Sequence, residues 1–248
     1  MHTVLVGGGW KSISLVDVYG AVSFTVWLCG CNLRCPFCHN WRLANNDSLL
    51  CRPIDVGRLL EDLSASRSLV DYLHVTGGEP LLQYEGVLQL FREARKLGVA
   101  TSLNSNLTLY VPFKKLVSEG VLDHVATDIK VPFEELSGTA SDALFREFLK
   151  SLTLVVENGI ALELRVPVAR GLTIEGLKEV LAHITPIIGR HAEKTVVVVN
   201  PLLSKPVTEP RDIEWCNRYC MPGEDELKGT AELFRGLGFK TVVKEVPR

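Results

Sequence analysis

An α/β fold built on a parallel sheet follows from three features of the chain. Short β-branched runs alternate with longer helical stretches. The runs are apolar almost without interruption, as in Val196–Val199, which is the pattern of strands covered on both faces. Gly98, Gly120 and Gly159 each stand just past a helical run, where a left-handed cap is wanted.

Taken in order, the chain opens with a short strand over Met1–Gly7. Further strands are expected at Val22–Leu28, Tyr72–Thr76, Ala100–Leu103, His124–Ile129, Ala161–Val166 and Thr195–Asn200. Helices are expected between them, at Ile54–Ser66, Gly86–Leu97, Phe113–Glu119, Asp142–Asn158 and Ile174–Ile188. Six strand–helix units are too few to close an eight-stranded barrel. They suit a partial (β/α)6 TIM-like barrel, whose active site would lie at the C-terminal strand ends. After Pro201 the chain turns Pro-rich and charged, then ends with a helix near Glu224–Leu237 and a strand near Lys240–Val246. The reading is therefore one domain over residues 1–248. Its core is about residues 13–200, and a short C-terminal extension, about 201–248, packs on that core.

Composition narrows the function. With 46% hydrophobic residues in 248, the chain can bury one large core. A net charge of −2 gives no reason to expect bulk affinity for nucleic acid or acidic membranes. No run of eighteen apolar residues and no charged-then-apolar leader is present, so the expected location is the cytoplasm. The seven cysteines are odd in number and three are crowded together, which speaks for metal rather than a secreted disulfide framework.

The crowded three form the run Cys31-Asn-Leu-Arg-Cys35-Pro-Phe-Cys38, a C-x3-C-x2-C spacing. Three such thiolates suit three irons of a [4Fe–4S] cluster, with the fourth iron open to a ligand. An open metal position marks a catalytic site, and an exposed iron would be oxygen-sensitive, which suits an anaerobic or low-oxygen setting. The alternative is structural zinc, which wants paired C-x2-C halves and four ligands. Cys29, at the end of an apolar strand, reads as a small buried side chain. His39 and Asn40 follow the last cysteine; His39 is either a donor to a cluster sulfur or partner, or a polar loop residue. Cys29, Cys51, Cys216 and Cys220 are four further thiols, the number a second cluster would need. The Cys216–Cys220 spacing equally fits a structural helix or a stabilising disulfide.

A second motif, Thr76-Gly77-Gly78-Glu79-Pro80, lies at a strand end, where two glycines allow close backbone approach to a ligand and Glu79 can accept from a cationic amino group. Together the two motifs resemble the radical S-adenosylmethionine (SAM) superfamily, with the aromatic Phe37 before the last cysteine and a GGEP segment about forty residues on. The resemblance implies that SAM chelates the open iron through its amino and carboxylate groups and that Gly77, Gly78 and Glu79 bind the methionyl amino group. A reduced cluster would cleave SAM to a 5′-deoxyadenosyl radical that abstracts hydrogen. Asn104-Ser105-Asn106 resembles the family's Thr-Asn-Gly or Asp-Thr-Asn segment, and Asp128-Ile129-Lys130 resembles the Asp-Leu-Lys of glycyl-radical activating enzymes. By that likeness Asp128 binds the ribose, Lys130 and Arg165 face the methionyl carboxylate, and Phe37, Asn104 and Asn106 complete the cofactor contacts.

Ser14-Leu-Val-Asp-Val-Tyr-Gly20 and Gly30–Asn40 resemble the activating enzymes of anaerobic ribonucleoside-triphosphate reductase, over roughly residues 13–200. That likeness implies a glycyl-radical enzyme as partner and a flavodoxin- or ferredoxin-like electron donor. The departures are Val18-Tyr19 in place of Tyr-Pro and Asn104 where pyruvate formate-lyase activating enzyme has a cation-binding aspartate. That enzyme's adenine-side histidine is also absent near Asn200-Pro201. A rival reading is a small-molecule enzyme resembling 7-carboxy-7-deazaguanine synthase. A rival of another class is a non-catalytic iron–sulfur or zinc protein.

Overall fold

The computed structural model describes residues 4–245. They group into two compact units: residues up to Asn32 with Arg42–Ala126, and Leu33–Trp41 with residues from Thr127 onward.

In the first unit the strands are β1 (Val6–Ser14), β2 (Ser23–Leu28), β3 (Arg52–Pro53), β4 (Tyr72–Gly77), β5 (Ala100–Asn104) and the start of β6 (His124–Asp128). Strands β2, β4, β5 and β6 pair in parallel in that order, while β1 runs antiparallel to β2 and to β3. The helices are α1 (Trp41–Ala44, whose first residue belongs to the other unit), α2 (Val56–Ser66), α3 (Tyr84–Lys96) and α4 (Tyr110–Ser118). Helix α2 starts where the Asp55 carboxylate accepts from Arg58 N at 3.0 Å, an N-cap that satisfies an orphan donor. Helix α3 has Glu85 in its first turn and Arg95 and Lys96 in its last, matching the helix dipole. Its apolar stripe buries Val87, Leu90, Phe91 and Ala94.

The two faces of this parallel sheet differ in character. Phe24, Val26, Leu28, Leu73, Val75, Leu103 and Val125 alternate onto one face and are fully buried. On the other face the register aligns Thr25, His74, Ser102 and His124. The Ser102 hydroxyl lies 2.8 Å from Nδ1 of both His74 and His124. A hydroxyl carries one proton, so Ser102 donates to at most one of the two rings, and the ring tautomers set the direction of each bond. One step further along the strands, Thr76 and Asn104 continue the same face.

In the second unit, β7 (Ala161–Val168), β8 (Thr195–Pro201) and β9 (Lys240–Val243) pair in parallel in that order. Its helices are α5 (Phe133–Ser137), α6 (Asp142–Glu157), α7 (Thr173–Ile188), α8 (Ile213–Tyr219) and α9 (Glu224–Gly236). Helix α9 lays Leu227 and Ala231 on Val168 and Val199, with Val243 beside them, so the chain beyond Pro201 packs within this unit.

The expected strands and helices of the core form within two or three residues of the boundaries read from sequence, and the glycines at 98, 120 and 159 are left-handed. The first strand differs: it spans Val6–Ser14 rather than ending at Gly7. Its Gly-rich, polar sequence has low strand propensity, and pairing with β2 supplies what propensity does not. The short α1, α5 and β3 also went unread, because pieces this brief carry no periodic signal. Expectations on Met1–Thr3 and on Val246 lie outside the described residues. No described helix is long and apolar enough to cross a membrane.

Phe91→Ala removes a fully buried ring from the α3 stripe. It is expected to cost about 3–5 kcal/mol of stability, read from urea denaturation midpoints.

Candidate active site

In the first unit the site grows from the end of β2. Gly78 N donates to Leu28 O at 2.9 Å and Glu79 N donates to Gly30 O at 2.7 Å, so the β4 end stays bound to the backbone that enters Cys31. The contact is too close for side chains. A Cβ on Gly78 would sit 2.0 Å from Gly30 O, and one on Gly77 would sit 2.3 Å from Leu28 O, where φ is also +116°. The approach these glycines permit is therefore first of all to the chain's own backbone.

Glu79 is fully buried. Its Oε1 accepts from Leu81 N at 3.0 Å and Ser105 Oγ at 2.8 Å, and its Oε2 accepts from Asn106 N at 2.8 Å. The carboxylate thus braces the β4 end against the β5 end. Asn106 Nδ2 donates to Asn32 Oδ1 at 2.9 Å and lies 4.0 Å from Cys31 Sγ, within reach of a weak bond to sulfur. Thr108 locks Asn106 by donating to its Oδ1 from N at 2.9 Å and from Oγ1 at 2.6 Å. Asn104 Nδ2 donates to Thr76 Oγ1 at 2.8 Å. Sequence reasoning missed Asn32, Ser105 and Thr108. Asn32 and Ser105 stood inside the quoted motifs, but nothing local says which partner they reach.

In the second unit Cys35 and Cys38 lie on the loop 33–41. A turn from Cys38 N to Cys35 O, 3.2 Å, closes it. Arg34 N donates to Ser137 O at 3.0 Å, Asp212 N to Pro36 O at 2.9 Å and Arg211 N to Cys38 O at 3.1 Å. Phe37 packs on Trp215 of α8. Burial pushes the Cys38 thiol up, with Arg211 opposing.

The same unit holds the charged residues. Lys130 Nζ, buried, lies 3.1 Å from Asp128 Oδ2. Arg165 Nε lies 2.6 Å from Glu163 Oε1, and Glu163 is only 1% exposed. Burial raises the Asp128 carboxyl, but Lys130 and Arg165 together outweigh it and hold it below the ordinary value. Burial lowers the His39 imidazole, although the residue is exposed by surface area; Asp128 opposes this and Arg165 adds to it. Lys130, expected toward a carboxylate of the cofactor, is thus next to Asp128, and Arg165 next to Glu163, a residue the sequence did not single out.

The cysteines divide cleanly. Cys29 pairs with Cys51 and Cys216 pairs with Cys220, with Cα–Cα distances of 6.1 and 4.7 Å. Cys29 is buried as expected but is half of a disulfide rather than a lone small side chain. The four thiols that a second cluster would need are all consumed in these bridges. Cys31, Cys35 and Cys38 enter no disulfide, so the thiol donors left to a metal group are those of the C-x3-C-x2-C run.

This α/β architecture and this donor set define an iron–sulfur enzyme class, and comparison with known proteins makes it specific. The family model of the radical SAM superfamily matches residues 25–184, and the chain belongs to that superfamily. A candidate glycyl-radical enzyme activating enzyme of Methanocaldococcus jannaschii is 26% identical over 162 residues, 63% of this chain and 65% of that protein. The 7-carboxy-7-deazaguanine synthase of Hyperthermus butylicus is 36% identical over 96 residues, 38% of each chain. The chain thus spans just under two thirds of the first relative's length and well under half of the second's. Among solved structures, Streptococcus suis SuiB bound to S-adenosylmethionine superposes with a TM-score of 0.62 at 14% identity, covering 87% of this chain and 48% of SuiB. That likeness shows the fold, the α/β core of radical SAM enzymes. The superfamily's cofactors are a [4Fe–4S] cluster and SAM, and three cysteines outside any disulfide, without a fourth, suit such a cluster.

Gly78→Ala is expected to destabilise the protein by about 1–3 kcal/mol or more, because the new methyl meets backbone that cannot move aside. Thermal midpoints of wild type and variant check this. Asp128 has a depressed folded pKa, so its pairing stabilises the protein above the ordinary aspartate value of about 4 and is lost as pH falls through the folded value. Urea midpoints of wild type and Asp128→Asn, measured from pH 7 to 3, should differ most at neutral pH and converge below about pH 4.

Proposed function

We propose that the chain is an activating enzyme that makes a radical at a glycine of a partner glycyl-radical enzyme, such as an anaerobic ribonucleotide reductase. The observation that carries this reading is the run Gly30–Asn40, whose three cysteines are the ones that enter no disulfide. The likeness to the M. jannaschii protein supports it. In this reading Cys31, Cys35 and Cys38 would hold the cluster, which would in turn bind SAM. The chemistry supplied by the bound pair is one-electron cleavage of SAM to methionine and a 5′-deoxyadenosyl radical, which removes the hydrogen.

The chain's own residues bind, orient and hold charge. Glu79 fixes the turn at residues 77–80 against residues 105–106, and that turn meets the methionyl amino group. Asp128, kept ionised by its cationic neighbours, accepts from ribose hydroxyls. Lys130 and Arg165 serve the methionyl carboxylate, and Glu163 steadies Arg165 through its Nε. Asn104 and Phe37 line the cofactor, and Asn106 adds a donor toward the Cys31 sulfur. A flavodoxin- or ferredoxin-like protein supplies electrons, in an oxygen-poor cytoplasm. The whole of residues 1–248 acts as one functional domain.

The second reading, a small-molecule enzyme with a purine-like substrate, draws on the higher local identity to 7-carboxy-7-deazaguanine synthase.

The test is anaerobic reconstitution with iron and sulfide, followed by dithionite and SAM. Wild type should form 5′-deoxyadenosine, and Cys35→Ala should fall to background. Adding a glycyl-radical enzyme should produce a glycyl EPR doublet; a response to a pterin instead would move the assignment to the second reading. A full cluster that yields neither nucleoside nor a SAM-induced EPR change would sink both.

A further inference from the structure

The family match ends at residue 184, yet a segment beyond it is built onto the cysteine loop. Within the second unit, the N–H groups of Arg211 and Asp212 donate to Cys38 O and Pro36 O, so residues 211–212 run along residues 36–38 as a two-rung ladder. Helix α8 starts at once, capped by Asp212, whose Oδ1 accepts from Trp215 N at 2.9 Å. One turn of α8 is closed by the Cys216–Cys220 bridge. Both sulfurs are buried with Leu136, Ala169 and Leu202.

Trp215 is held on several sides. Its Nε1 donates to Glu135 Oε1 at 2.6 Å. Its ring lies 5.1 Å from that of Tyr219 and 6.2 Å from that of Phe37, tilted by 40° to the latter. The buried bridge and the two-rung ladder anchor α8, and the partly exposed indole packs on the edge of that cluster beside Phe37 and Tyr219. It rests on Phe37, the one aromatic side chain between the cysteines of the run. Tilted aromatic pairs of this separation have a preferred geometry, so a fixed indole restricts the angle of its neighbour.

We propose that Trp215 is a positioning residue: it sets the plane of the Phe37 ring and, through it, the affinity for SAM. The inference rests on the radical SAM reading above, in which Phe37 stands beside bound SAM. It gives the C-terminal extension a part in cofactor recognition that the matched core does not contain.

The test uses reconstituted holoenzyme of wild type, Trp215→Ala, Trp215→Phe and Glu135→Ala. For each, iron content, the SAM dissociation constant and the SAM-induced change in the reduced cluster's EPR signal are measured. At equal iron content, Trp215→Ala should weaken SAM about tenfold. Trp215→Phe, which keeps a ring, should stay within about threefold, and Glu135→Ala should fall between them. KM for SAM should rise more than kcat for 5′-deoxyadenosine falls, because the indole acts on binding. Wild-type affinity in Trp215→Ala, or equal losses in Trp215→Ala and Trp215→Phe, would overturn the assignment. If Trp215→Ala does not fold, unchanged SAM affinity in Glu135→Ala overturns it instead. No SAM response in wild type with a full cluster would defeat the functional reading itself, and the inference with it.

Discussion

Two glycines that leave no room for side chains hold the first unit's functional end together. Because residues 77 and 78 lack a Cβ, the β4 end hydrogen-bonds directly to Leu28 and Gly30, one residue short of Cys31. Everything placed by that contact follows from it: Glu79 comes next in the chain, is driven into the interior, and finds Ser105 and Asn106 there. Asn106 in turn reaches Asn32 and the Cys31 sulfur. A side chain at residue 78 would push this chain of contacts apart at its first link.

Buried charge is the second theme. Burying Glu79, Glu163 or Lys130 without partners would be costly, since an uncompensated ion in the interior loses its hydration. Each is met locally: Glu79 by two N–H groups and a hydroxyl, Glu163 by Arg165, and Lys130 by Asp128. Such pairs add little net stability, but they fix their donors and acceptors in place.

The disulfides change how the cysteines are understood. Seven thiols in one chain left room for a second cluster, and spacing alone did not decide between cluster, helix and bridge. Pairing needs Cα atoms close and Cβ vectors facing, which is a property of tertiary placement. Once Cys29–Cys51 and Cys216–Cys220 are joined, the C-x3-C-x2-C run stands alone as thiol donor set. The Cys216–Cys220 bridge also stiffens the helix that carries Trp215.

By itself the sequence determined the α/β class, the positions of the core strands and helices, and the motifs of a radical SAM enzyme, because each is a local pattern. Apolar runs make strands, amphipathic periods make helices, and C-x3-C-x2-C with Gly-Gly-Glu-Pro is written in adjacent residues. Only the tertiary structure decided which side chains serve those motifs. Glu163 beside Arg165 is two residues away yet unreadable, since a strand pattern does not say which like-facing neighbours pair. Ser105 to Glu79, Thr108 to Asn106 and Trp215 to Phe37 join residues 26, 2 and 178 apart in order, and two of those separations exceed any local signal. The edge strand β1 belongs to the same class, for its poor strand propensity is overruled by the partner it pairs with. Contacts of this kind exist only after the backbone has brought distant strand ends and loops together, which is why the chemistry was legible in advance and its supports were not.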